Sequence, residues 1–180
     1  QYGGGVAAVG GISTMNAGII SSNEAQYGGG VAVIGGTFTV DGGTISDNTA
    51  ANSGGGVYMD SGTNTMFTVG GGEILENKKN SDVASNVYVV GGAPFNVKNS
   101  LPSDTIIYVD HGIGAVFTNG GLDENTVKYF SSSDTNLLKV EQRVDDGALE
   151  IKLKEEEIDY YKDFKAKQST KMIGESLERH

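Results

Sequence analysis

The chain has no cysteine, no tryptophan and only two prolines in 180 residues. Without cysteine it can form no disulfide and offer no thiolate to a metal. Basic residues are also scarce: 13 Lys and Arg stand against 23 Asp and Glu, a net charge of −10. The first hundred residues hold 3 basic and 7 acidic side chains, and the last eighty hold 10 and 16. Neither stretch suits a phosphate backbone or an anionic headgroup layer, so no nucleic-acid partner is expected. No apolar run approaches the ~20 residues that span a bilayer, so no membrane insertion is expected either. Histidine occurs twice, at His111 and His180. The chain starts inside a repeat, without Met and without a signal peptide. It reads as a fragment or mature segment whose export signal lies elsewhere or was removed.

Glycine is abundant. There are 28, and 22 of them precede residue 101. They recur with a period. QYGGGVAAVGGISTMNAGIISSNEA, residues 1–25, matches QYGGGVAVIGGTFTVDGGTISDNTA, residues 26–50, at 15 of 25 positions without a gap. A looser and longer copy runs from Asn52 to Lys79. A period of about 25 residues, rich in Gly and β-formers, marks stacked coils, each unable to bury its apolar face alone. In the second copy the strand candidates are Val31–Ile34, Thr37–Val40 and Thr44–Ser46, separated by Gly-rich turns. Parallel stacking at ~4.8 Å would align Val6, Val31, Val57 and Val87 in one interior column. Ala8, Val33, Met59 and Val89 form a second; Met15, Val40, Val69 and Val97 a third; Ile20, Ile45 and Ile74 a fourth. Asn23, Asn48 and Asn77 make an asparagine ladder, because Asn suits tight turns and its amide can bond the coils on either side.

The expected fold is all-β: a right-handed parallel β-helix of about three strands per 25-residue coil, with a C-terminal β-hairpin cap and a short C-terminal helix. Residues 1–121 would form the solenoid and 122–153 the capping strands. Residues 154–180 would form a charged, helical or flexible tail. The cap is read from Leu137–Val144 and Ala148–Leu153 flanking Asp145-Asp146-Gly147, a hairpin signal. A hairpin there would shield the unpaired edge of the last coil.

These residues resemble the parallel β-helix repeats of bacterial surface and secreted proteins. The Gly28–Val31 start and GTFTVDGGTISDN, Gly36–Asn48, are similar to large cell-wall or secreted proteins of gut Gram-positive bacteria. Asn86–Gly121 resembles the segment that closes such arrays. A weaker similarity links Gly29-Gly30-Val31 and Ile45-Ser46-Asp47-Asn48 to the GG-aliphatic and F-x-x-N motifs of polymorphic outer-membrane adhesins, with Ile in place of the Phe. The resemblance implies an exported, adhesive or structural scaffold that displays side chains or domains to glycans or host surface proteins.

Many parallel β-helices cleave polysaccharides, so the alternative is a carbohydrate-active lyase or hydrolase. Asp47 and Glu76 are its only catalytic candidates. They fall at equivalent positions in successive coils, where stacking would set their backbones ~5 Å apart, near the spacing of a retaining glycosidase. The same pair could touch a Ca²⁺ ion, or be ordinary solvated turn carboxylates. No nucleotide, hydrolase or zinc motif occurs, and no cofactor or metal is expected. Asp110-His111-Gly112 reads as an exposed turn. Thr14, Thr39 and Thr68 form an outward file of the kind that binds ice in wider arrays. Tyr2, Tyr27, Tyr58 and Tyr88 could stack on sugars, the first two from a turn and the others from strands.

Overall fold

A computed structural model describes residues 1–80, 82–92, 94–110, 116–134 and 138–154. They form a β-solenoid of about five turns. The first coil contains β1 (Val6–Val9), β2 (Ile12–Met15), β3 (Ile19–Ser21) and β4 (Glu24–Tyr27). The second contains β5 (Val31–Ile34), β6 (Thr37–Val40), β7 (Thr44–Ser46) and β8 (Thr49–Ser53). The third contains β9 (Val57–Met59), β10 (Met66–Val69), β11 (Glu73–Leu75) and β12 (Lys78–Lys79), with a return strand β13 (Val83–Ala84). Less regular coils follow, built from β14 (Val87–Val89), β15 (Asn96–Val97), β16 (Ile106–Val109) and β17 (Phe130–Ser132). Strands β18 (Leu138–Gln142) and β19 (Leu149–Leu153) close the described chain as an antiparallel hairpin.

Every anticipated column is present. Val6 pairs with Val31, Val31 with Val57 and Val57 with Val87, all in parallel. Met15, Val40, Val69 and Val97 stack through β2, β6, β10 and β15. Ile20, Ile45 and Ile74 stack through β3, β7 and β11, and Ile107 extends the file. Val31, Val40, Val57, Val69, Val87, Ile45 and Ile74 are fully buried. Each such side chain contributes about 1.5–3 kcal/mol relative to exposure, but only because the neighbouring coil covers it.

The structure adds a fourth strand per coil. After β3 the chain leaves the main body at Asn23, runs through β4 and returns at Gly30. The second coil repeats this from Asn48 to Gly56, and the third from Asn77 to Asn86. The strands of this side arm form their own sheet in the order β13-β12-β8-β4. β16 has no such excursion. It pairs with β11 through Ile106 and Ile107 and with β14 through Val109. It therefore runs unbroken along a face that the earlier coils build from two strands laid end to end.

Toward the C-terminal end a cluster of rings joins the Val and Ile files. Phe95 lies 5.5 Å from Phe67, 5.8 Å from Phe117 and 6.3 Å from Phe130 between ring centres. The hairpin turns where expected, with Gly147 at φ 71°. Leu149 and Ile151 are fully buried and belong to the same core cluster as Phe117 and Phe130. The Phe117 N–H donates to Leu149 O, and the Leu149 N–H to Thr118 Oγ1. The expected C-terminal helix lies outside the described residues, as do His111 and His180.

Candidate functional site

The asparagine ladder stands where the arm leaves the body. The Asn48 Oδ1 accepts from the Asn23 backbone N–H at 3.1 Å and from Asn23 Nδ2 at 2.9 Å. Asn48 Nδ2 donates to Ile20 O at 2.8 Å, Ser46 O at 2.9 Å and Asn77 Oδ1 at 2.9 Å. Asn48 and Asn77 are both fully buried. Their amides thus saturate backbone groups at a junction that no β ladder can reach.

A fourth rung, Asn86, was not legible in the repeat. Its Oδ1 accepts from the Asn77 N–H at 2.9 Å and from Asn77 Nδ2 at 3.1 Å. It comes from the returning side of the arm, where the earlier coils carry glycine. The backbone there accepts from Val57 as Gly56 accepts from Val31. The earlier glycines are required because a Cβ on Gly30 would lie 2.9 Å from Asn48 Nδ2, and one on Gly56 2.7 Å from Asn77 Nδ2. Where no further ladder Asn arrives, the glycine is exchanged for the side chain that fills the same space.

Asp47 and Glu76 lie one residue before their ladder asparagines and are solvent-exposed. Ser22, Asp47 and Glu76 all adopt left-handed backbone, with φ of 58°, 55° and 58°. The column is therefore a bend in the chain. Asp47 accepts from Ser46 Oγ at 3.2 Å. The other turn acids are engaged locally: Glu73 by Thr44 Oγ1, Asp60 by Thr65 Oγ1 and the Gly62 N–H, and Asp41 by Lys98 Nζ at 2.6 Å. Among the described residues no three His, Asp or Glu side chains gather as a metal site.

Asp110 departs from the exposed turn expected of it. Both carboxylate oxygens are buried and neither completes a hydrogen bond. Burial pushes this carboxyl above the usual carboxylate range; the nearby Ser133 and Ser85 hydroxyls, Asn86 N–H and Lys79 only partly offset it. It borders a cavity of about 280 Å³ that is also lined by Lys79, Tyr88, Ser133 and Asp134.

The four tyrosines form one file. Ring centres are 5.2 Å apart from Tyr2 to Tyr27, 5.1 Å from Tyr27 to Tyr58 and 6.2 Å from Tyr58 to Tyr88. Tyr2 and Tyr27 are register partners on the arm, but Ser53 takes that place in the next coil. Tyr58 supplies the ring instead from β9, opposite Ala32. The Tyr2–Tyr27 and Tyr58–Tyr88 pairs are stacked, so much of the ring faces is covered by neighbouring rings. Tyr58 is buried, and burial together with the neighbouring phenols pushes its hydroxyl pKa up. Tyr2, at the free end, is 47% exposed. Thr14, Thr39 and Thr68 form the expected file, continued by Asn96.

No protein-family model, curated protein or solved structure matches the chain.

Proposed function

We propose that this β-solenoid is a structural and adhesive scaffold of an exported bacterial protein, a rigid rod that presents side chains to glycans or host surface proteins. The supporting observation is that its outward groups recur in register at the spacing of the coils. Thr14, Thr39 and Thr68 are register partners along β2, β6 and β10, beside the buried Met15, Val40 and Val69, and Tyr2 and Tyr27 are stacked register partners on the arm. Such a surface meets a long partner with many weak, equally spaced contacts, so the side chains need little rearrangement on binding.

Binding of the folded chain to a panel of immobilised polysaccharides and extracellular-matrix proteins tests this. Saturable binding weakened roughly tenfold or more by Tyr27→Ala is expected, the size of an aromatic hot spot. Absence of binding across both panels would remove the adhesive half of the reading. Turnover of a glycan, lost in a still-folded Asp47→Asn or Glu76→Gln variant, would replace the scaffold with an enzyme.

A further inference from the structure

The tyrosine file ends at Tyr88, and a carboxylate takes the next place. β14 and β16 pair Val87 with Val109, and the Asp110 N–H donates to Val87 O, which sets Asp110 beside Tyr88. β16 and β17 pair Val109 with Ser132, and the Ser133 N–H donates to Val109 O, which sets Ser133 beyond Asp110. Tyr58 stacks on the Tyr88 ring at 6.2 Å, and the cavity of about 280 Å³ lies against Tyr88, Asp110 and Ser133. Lys79 and Ala84 border it from the arm. It lies where the arm stops, since β13 is the last strand of the arm sheet. The fold has no evident use for Asp110. A buried polar group without a partner costs stability, and native chains keep few of them. Among the described residues both of its oxygens lack one. The hydroxyls near it are tied to other groups: Ser85 Oγ accepts from the Gly54 and Gly55 N–H groups, and Ser133 Oγ accepts from Asn86 Nδ2.

The geometry points to a single sugar ring as the ligand of this cavity, a neutral hexose unit with Asp110 as its main polar contact. Adjacent sugar hydroxyls each donate and accept, so a pair of them completes both carboxyl oxygens whether the group is ionised or holds its proton. The Tyr88 ring offers an apolar flank to the C–H face of the sugar, and Lys79 and Ser133 can donate to its outer hydroxyls. A divalent cation suits the donor set less well. Lys79 borders the cavity, and among the described residues no three His, Asp or Glu side chains gather. An amine would likewise bring a positive charge beside Lys79. At about 280 Å³ the space falls below that of drug-sized ligands, which fits one ring rather than a chain of them. The site goes beyond the scaffold reading and is separate from the Tyr27 surface, so either can fail alone.

Titration of the 180-residue chain with glucose, galactose, mannose and N-acetylglucosamine, followed by proton–nitrogen NMR, tests it. Saturable shifts of the Lys79, Tyr88, Asp110 and Ser133 amides are expected with at least one of these sugars. The matching deoxy sugar, which lacks one of the paired hydroxyls, should bind about tenfold or more weakly. Asp110→Leu exchanges the unpaired carboxyl for an apolar side chain. It should leave the thermal melt at neutral pH unchanged or raised, because a buried group without a partner is removed, and it should abolish the shifts. If that variant did not fold, the deoxy-sugar comparison on the unaltered chain decides. No response to any of the sugars, shifts confined to other parts of the chain, or a response to Ca²⁺ or methylamine alone would each overturn the proposal. So would sugar binding that is unchanged in a folded Asp110→Leu chain or indifferent to every deoxy sugar.

Discussion

The second and third coils build their core by repetition, whereas the closing coils build the same core by substitution. In the repeated coils the valine and isoleucine columns each hold a single residue type, and register alone brings like onto like. Beyond Asn86 the columns are completed in part with different pieces: an asparagine for a glycine, one through-strand for two strands and an arm, and Phe130 in line with Ile107 at the end of the isoleucine file. What carries over is the set of requirements at each place: an apolar volume in the core, an amide at the junction and a covered edge. Repetition is one way to meet them, and chemical equivalence is another.

The largest test sets a middle coil against the free end. Val31→Asp places a charge at a fully buried position and should cost several kcal/mol in urea unfolding. Val6→Asp, the same change in the same column but at a partly exposed site, should cost clearly less. Equal losses would mean that cover by coils on both sides does not set the cost. The next test sets a repeated rung against the substituted one. Asn48→Ala and Asn86→Gly should each destabilise by about 1–3 kcal/mol, because each strands the backbone N–H and the side-chain amide of the neighbouring rung, Asn23 and Asn77 respectively. If Asn86→Gly were neutral, the fourth rung would not be equivalent to the others.

Acidity sharpens the comparison further, since the buried unpaired carboxyl lies in the substituted region. Asp110 holds its proton more tightly folded than unfolded. Its contribution is therefore fully present below the ordinary Asp range. It is lost as pH rises from there through the raised folded value, where the unfolded chain releases the proton first. Stability should fall over that window, and Asp110→Asn should flatten the fall in a pH series of thermal melts. The smallest effect concerns the left-handed bend. Glu76→Gly relieves a strained φ at the expense of some chain entropy, so it should raise stability by about 1 kcal/mol or less by chemical denaturation. A marked loss would give the Glu76 side chain a role beyond the backbone.

The columns were legible because Val31 and Ile45 sit 25 residues after Val6 and Ile20, and period is something a sequence displays directly. The ladder was legible through Asn77 for the same reason. Asn86 was hidden because it reaches the ladder from the opposite side of the arm, nine residues on rather than a full period. The arm was hidden because Glu24–Tyr27 and Lys78–Lys79 share no pattern; only their neighbours in the stack make them a sheet. Tyr58 was seen as a strand residue, yet nothing in the sequence says that it replaces the ring lost at Ser53. Asp110 looked like a turn because Asp and Gly flank His111, and its burial depends on Ser85 and Ser133, distant in the chain. Asp47 and Glu76 were legible as equivalent turn residues, with solvated carboxylates among the readings, but their left-handed backbone follows from the bend before each asparagine.

The Asn77–Asn86 rung also bears on the order in which the molecule assembles. The other rungs join residues 25 and 29 apart, whereas this one joins residues only nine apart. By loop-closure scaling it is about 1 kcal/mol less costly to form from the open chain than the 29-residue rung. Once made, it fixes the turn on which β14 can settle against β9. The third coil is thus the natural seed, and ordering spreads from it toward the N-terminus one coil at a time, each new coil laid on a finished template. The irregular stretch of the sequence, which departs from the repeat, would then be where the repeat begins to fold.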